Sequence, residues 1–181
     1  MGLRRHPDVR LSFARVGPLV WPIGRRPTVL LPQGLVQSLP EHELELLIAH
    51  EFAHIKRRDH QVRWFELGMS ALYWWYPVYW IARKQLRKAE EYCCDAMVLE
   101  LISRQDASSY ANVLLKVAEF AADMQSPTPR LASGAGSSSP LKWRIEMVLS
   151  NSMPGRLSRS MKLIIAIAAI VVSSVSVVEF Q

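Results

Sequence analysis

Between Val9 and Leu31 the apolar residues come in short runs, VRLSFA, PLVW and TVLL, separated by Gly17, Pro18, Pro22, Gly24 and Pro27 and closed by Pro32. Glycine and proline at such intervals predict a small antiparallel sheet. The period then lengthens. Ser38-Leu-Pro-Glu41 has the form of a capping box, a hydroxyl for orphan amides with a glutamate three residues on. Leu44, Leu47, Ile48 and Ile55 follow at helical spacing, which predicts a helix reaching about Arg58. The stretch Leu67 to Ala82 (LGMSALYWWYPVYWIA) is apolar and aromatic and is interrupted by Pro77, so two helical pieces are expected. A long helix should run from about Val78 through Leu101, and Asp106 is a suitable cap for another reaching about Asp123. Pro, Gly, Ser and Ala then dominate 125–139, a loop composition, before a short helix from Leu141 to Leu149.

The end of the chain has a different character. Leu163 to Val178 carries no charge and is bounded by Lys162 and Glu179, which predicts a membrane-spanning helix over residues 161–181. Arg156, Arg159 and Lys162 on its amino side predict that the preceding domain faces the cytoplasm. Tyr73, Trp74, Trp75, Tyr76, Tyr79 and Trp80 are residue types that gather where membrane meets water, although a domain core rich in aromatics would use them equally.

Half of the 181 residues are hydrophobic, enough for one core of ordinary size. A formal charge of +6 favours an acidic neighbour. No zinc-finger spacing or glycine-rich phosphate loop accompanies it, so a lipid bilayer is the expected partner and nucleic acid is not. Cys93 and Cys94 are adjacent and cannot staple distant parts of a fold, which argues against a disulfide framework and for a reducing, cytosolic setting.

The chemistry sits in Ala49-His-Glu-Phe-Ala-His54, an H-E-x-x-H motif within the predicted helix. Residues four apart share a helix face, so His50 and His54 can aim at one ion, while Glu51, rotated by about 100° from His50, borders it as a general base for the attacking water. Burying such groups in an otherwise apolar helix is costly unless a metal compensates. A hydrolytic zinc needs three protein ligands and one open position, hence a third His, Glu or Asp from elsewhere. Glu90-Glu-Tyr-Cys-Cys-Asp95 offers Glu91 as that ligand. Asp95, one turn on, would accept a hydrogen bond from the free ring nitrogen of a ligating histidine, with His50 the expected donor, and Glu90 would be solvated. His60, Arg57, Arg58, Tyr92 and Tyr110 are candidate oxyanion partners without a basis for choosing among them, and His6 and His42 read as exposed.

The pairing of H-E-F-A-H with a downstream E-Y-C-C-D resembles the gluzincin metallopeptidases, in which a glutamate four residues before an aspartate is the third ligand. RPTVLLP, LIAHEFAHIKRRDH, WWYPVYWIARKQLRKAEEYCCDAMVL and SPLKWRIEMVL, followed by an apolar span, resemble in their order the membrane metallopeptidases of the BlaR/MecR antirepressor type. That resemblance implies an α+β fold, mainly helical and zincin-like with a small N-terminal antiparallel sheet and a C-terminal transmembrane helix. The corresponding division is a zinc metallopeptidase domain over 1–124, a loop over 125–139, a short helix and basic juxtamembrane segment over 140–160, and the span over 161–181. It implies one zinc ion on His50, His54 and Glu91, with Glu51 as the base, and a cytoplasmic protease at the cell membrane that cleaves a protein such as a transcriptional repressor in signalling. The earlier transmembrane helices and external sensor of that type have no counterpart in the sequence. Two other readings stay open: a quality-control or processing protease of the membrane, and a non-catalytic signalling module with structural zinc. The strand Thr28 to Leu31 is a candidate edge on which an extended substrate could add.

Overall fold

The computed structural model describes residues 7–14, 16–21, 27–103, 105–124 and 139–150. Three strands, β1 (Asp8–Ser12), β2 (Leu19–Trp21) and β3 (Thr28–Pro32), precede six helices: α1 (Gln33–Ser38), α2 (Glu41–Arg57), α3 (Asp59–Leu72), α4 (Pro77–Leu99), α5 (Ala107–Met124) and α6 (Ser139–Ser150). A small sheet beside a mainly helical body is the predicted α+β class.

The sheet is not wholly antiparallel. Its order is β1-β3-β2, with β2 antiparallel to β3 but β1 parallel to it, from Asp8 opposite Thr28 to Ser12 opposite Pro32. An antiparallel sheet was expected because short runs divided by turn residues suggest pairing between sequence neighbours. Here β1 and β2 do not pair, and β3 enters between them. Central β3 therefore has no free edge, which corrects the expectation for Thr28 to Leu31, and the outer strands among the described residues are β1 and β2. Alternation along β3 buries Val29 and Leu31 against the helices.

The core joins these residues to Leu35 of α1, Leu46 and Leu47 of α2, Val98 and Leu99 of α4, Tyr110, Val113 and Leu114 of α5 and Val148 of α6. Of the apolar face predicted for α2, Leu47 is fully buried, while Leu44, Ile48 and Ile55 pack partly buried against the core. The capping box does not form. Ser38 is the last residue of α1 and its hydroxyl donates to the Leu35 carbonyl at 2.8 Å. Leu39, held extended before proline, separates it from α2, whose N-cap Pro40 makes no side-chain hydrogen bond. Glu41 and Glu43 in the first turn give α2 its favourable charge at that end.

Pro77 divides the aromatic stretch as expected and occupies the first turn of α4. The core reading of the aromatics is corrected: Trp74 and Trp75 are 70% and 58% exposed, and Trp80 is held at the surface by its indole N–H donating to the Trp74 carbonyl. No helix among the described residues is long and apolar enough to cross a membrane, and the span predicted for 161–181 lies outside them, as does 125–138 of the expected loop.

Helices α2 and α3 meet at Arg58, the one non-glycine residue with positive φ among the described residues (φ 64°, ψ 34°). Its backbone N–H closes α2 by donating to the carbonyls of His54 and Ile55. Left-handed geometry costs an L-residue roughly 1–2 kcal/mol, and a β-branched side chain is the least compatible with it. Urea denaturation should find Arg58→Gly at least as stable as the parent and Arg58→Val weaker than Arg58→Gly by more than about 1 kcal/mol. Equal stability of the two variants would show that this corner is not strained.

Candidate metal centre

Helix α2 presents His50 and His54 on one face, and α4 lies across that face with Glu91 opposite both. Nε2 of His50 is 3.5 Å from Glu91 Oε2, and Nε2 of His54 is 3.7 Å from Glu91 Oε1. The ligand atoms of His50, His54 and Glu91 all lie within 4.8 Å of one another.

What lies behind the imidazoles decides which nitrogen is free. Tyr110, fully buried on α5, donates its hydroxyl to Asp95 Oδ1 at 2.6 Å, so the same oxygen accepts from His50 Nδ1 at 2.8 Å. Asp95 Oδ1 itself lies 3.2 Å from that nitrogen. His54 Nδ1 donates to Asp59 Oδ2 at 2.8 Å. With the Nδ1 atoms held by Tyr110 and Asp59, both Nε2 atoms face Glu91, the arrangement that a ligating pair requires once His50 gives up its second proton. Two imidazole nitrogens and a carboxylate oxygen, with fixed tautomers, are a donor set that suits Zn2+ with one position left open.

A second tier balances the charge. Arg144, on α6, forks onto Asp95 through Nε to Oδ2 and Nη2 to Oδ1, both at 2.7 Å, and places Nη1 2.9 Å from Glu91 Oε2. Burial opposes ionisation of Asp95 and Glu91, yet their contacts with His50 and Arg144 hold both well below the usual carboxylate range, Glu91 at about 2. Burial likewise opposes protonation of His50, but Asp95 and Glu91 outweigh it and raise its pKa to about 9. Asp59 is kept below its ordinary value despite burial by His54 and Arg57, while burial pushes the Cys94 thiol, which donates to Asp59, strongly upward.

Glu51 is buried beside the pair, and burial raises its pKa against the opposing charges of His50 and His54. Together with His50, His54 and Glu91 it lines a cavity of about 820 Å3 walled by Leu19 and Val20 of β2 and Val113 and Val117 of α5. His60 and Tyr92 line it as well; Arg57 and Arg58 do not.

Sequence reasoning passed over Asp59 and Arg144 and left Tyr110 unassigned. Asp59 reaches His54 only because the chain turns left-handed at Arg58, which a helical pattern does not reveal. Arg144 had a weak signal, as it falls within SPLKWRIEMVL. Glu90, expected in solvent, is 2% exposed and paired with Arg63 at 2.7 Å, because the face of α4 that carries it packs toward α3.

These shifts fix a pH profile for the metal-free protein. The contribution of His50 is complete below pH about 6.5 and is lost as pH rises through about 9; that of Glu91 is present above about 4.5 and is lost as pH falls toward about 2. Thermal stability without metal should therefore be greatest between about pH 4.5 and 6.5, and Zn2+ should move the maximum upward because ligation requires unprotonated His50. A metal-free Tm that climbs from pH 7 to 9 would contradict this charge assignment.

Comparison with known sequences gives a consistent picture. The chain is 28% identical over 139 residues to the regulatory protein BlaR1 of Bacillus licheniformis, covering 76% of this chain and 22% of the relative. It is 24% identical over 113 residues to the methicillin resistance mecR1 protein of Staphylococcus aureus and to that of Staphylococcus epidermidis, covering 62% of this chain and 19% of each relative. The chain thus spans about a fifth of the length of these relatives. The BlaR1 peptidase M56 family profile matches residues 1–148, all of α1 to α5 and most of α6, and the chain belongs to that family.

Proposed function

We propose that the chain is a zinc-dependent endopeptidase in which His50, His54 and Glu91 hold the metal and Glu51 is the general base. The observation that carries this reading is the convergence of three ligand atoms with a buried, non-ligating carboxylate on the wall of a cavity large enough for a peptide. Zn2+ bound there would polarise the scissile carbonyl and acidify a water molecule. Glu51 accepts the proton as the water oxygen attacks the carbonyl carbon, then delivers it to the departing amine nitrogen as the C–N bond breaks. Its raised pKa, caused by burial, suits a group that must first take and then give a proton. Asp95 and Asp59 orient the two imidazoles, Tyr110 relays the hold of Asp95 on His50, and Arg144 keeps Glu91 and Asp95 ionised. The outer edge of β2, unpaired among the described residues and next to the cavity, replaces Thr28 to Leu31 as the place where an extended substrate backbone could pair.

Family membership and the apolar segment 161–181, flanked by Arg156, Arg159 and Lys162, support a protease tethered to the cell membrane and facing the cytoplasm. Its substrate on this reading is a protein, of which a transcriptional repressor is the leading candidate, in regulated proteolysis. A buried Glu51 next to three ligands among the described residues disfavours a purely structural zinc, which is usually closed by four.

Purified protein should contain close to one Zn2+ per chain, and His54→Ala and Glu91→Ala should lose most of it by metal analysis. Glu51→Gln should keep the metal yet cleave a peptide library at least about 100-fold more slowly, scored by mass spectrometry. Full cleavage by Glu51→Gln would remove the proposed base, and undiminished zinc in Glu91→Ala would remove the third ligand.

A further inference from the structure

The cavity wall is chemically divided. On one side α5 contributes Val113, Val117 and Ala118, and on the other α3 and α4 contribute Arg63, Lys84, Arg87 and Lys88. Lys84, Arg87, Lys88 and Glu91 recur at intervals of three and four, so they form one stripe along α4 that starts at the metal centre.

The arginines and the lysines of this stripe are differently placed. Arg63 pairs with Glu66 at 3.1 Å and Glu90 at 2.7 Å, and Arg87 with Glu66 at 3.1 Å, both glutamates being buried. These arginines serve the packing of α3 on α4. Lys84 and Lys88 have no carboxylate partner among the described residues, although both line the cavity. At about 1.5 Å per residue along a helix, Lys88 stands about 4.5 Å and Lys84 about 10.5 Å along the axis from Glu91. An extended peptide advances about 3.3 Å per residue, so those distances correspond to side chains roughly one to three residues from the scissile bond.

We infer that Lys84 and Lys88 select peptide substrates carrying aspartate or glutamate within about three residues on one side of the cleaved bond, while the α5 wall takes apolar side chains. The inference rests on the peptidase reading given above. Charge complementarity identifies the occupant: two ammonium groups without a carboxylate partner among the described residues, lining the cavity that also holds the proposed reacting centre, attract an anionic side chain of whatever enters it. Exposed pairs of this kind are individually weak and screened by salt, so they act on substrate choice rather than on the fold.

The test separates binding from turnover. The full chain carrying Glu51→Gln is titrated, with Zn2+ present, into fluorescent peptides that share an apolar segment and differ only in Asp and Glu against Asn and Gln. Fluorescence anisotropy should show the acidic peptides binding about fivefold or more tightly at low ionic strength, and the preference should shrink in 0.5 M salt. Adding Lys84→Gln and Lys88→Gln should abolish the preference, and Lys84→Glu with Lys88→Glu should transfer it to lysine-bearing peptides, which general misfolding could not produce. Equal affinity for acidic and neutral peptides would overturn the inference, as would no binding of either. So would a stripe that instead governs attachment to vesicles containing anionic lipid and leaves peptide preference unchanged. Failure of the zinc or Glu51 experiments described earlier, with the acidic preference intact, would count against catalysis alone.

Discussion

Four carboxylates, Glu51, Asp59, Glu91 and Asp95, crowd around two imidazoles, all but Glu91 shut away from water, and the arrangement of the whole molecule follows from making that tolerable. A buried carboxylate without compensation is among the most costly features a fold can carry. Three of the four are compensated by direct partners: Asp59 by His54 and Arg57, and Asp95 and Glu91 by His50 and Arg144. Glu51 has only the more distant charges of the histidines and Arg144 to oppose its burial, and its pKa rises accordingly. The group left least satisfied is the one assigned to carry a proton. That inequality, more than the motif, distinguishes the carboxylate proposed as the base from its three neighbours.

The scaffold serves this arrangement through helix contacts rather than through the sheet. Packing of α4 across α2 brings Glu91 to the histidines, α5 supplies Tyr110 from the core side, and α6 closes the back with Arg144. Core residues such as Val98, Tyr110 and Val148, all fully buried, hold the three later helices in register with α2. The sheet contributes the pocket edge through β2, while β3 anchors α1 by burying Val29 and Leu31.

Sequence alone was informative where chemistry follows a local period. H-E-x-x-H on α2 and E-x-x-x-D on α4 are each read from spacing within one helix, and the division of the aromatic stretch follows from a single proline. Information failed where geometry depends on a junction or on distant packing. Ser38 looked like a cap because its distance to Glu41 is right, yet Pro40 fixes an extended residue between them. Parallel pairing of β1 with β3 leaves no local trace, since the hydrophobic runs are the same for either direction. Glu90 and Glu91 are neighbours with opposite fates, one buried against Arg63 and the other facing the histidines, and only the position of α3 distinguishes them.

The reach of Arg144 carries a consequence for how such a chain can change over time. One guanidinium neutralises a candidate ligand and an orienting residue at once, so positions 91, 95 and 144 are energetically one unit although they lie on two helices. Exchanging Glu91 for a neutral metal donor would leave surplus positive charge in the interior, and losing Arg144 would leave two anions facing each other. A substitution at any one of these sites therefore disturbs the other two, whereas Lys84 and Lys88, with no carboxylate partner among the described residues, can each be exchanged without unbalancing the interior.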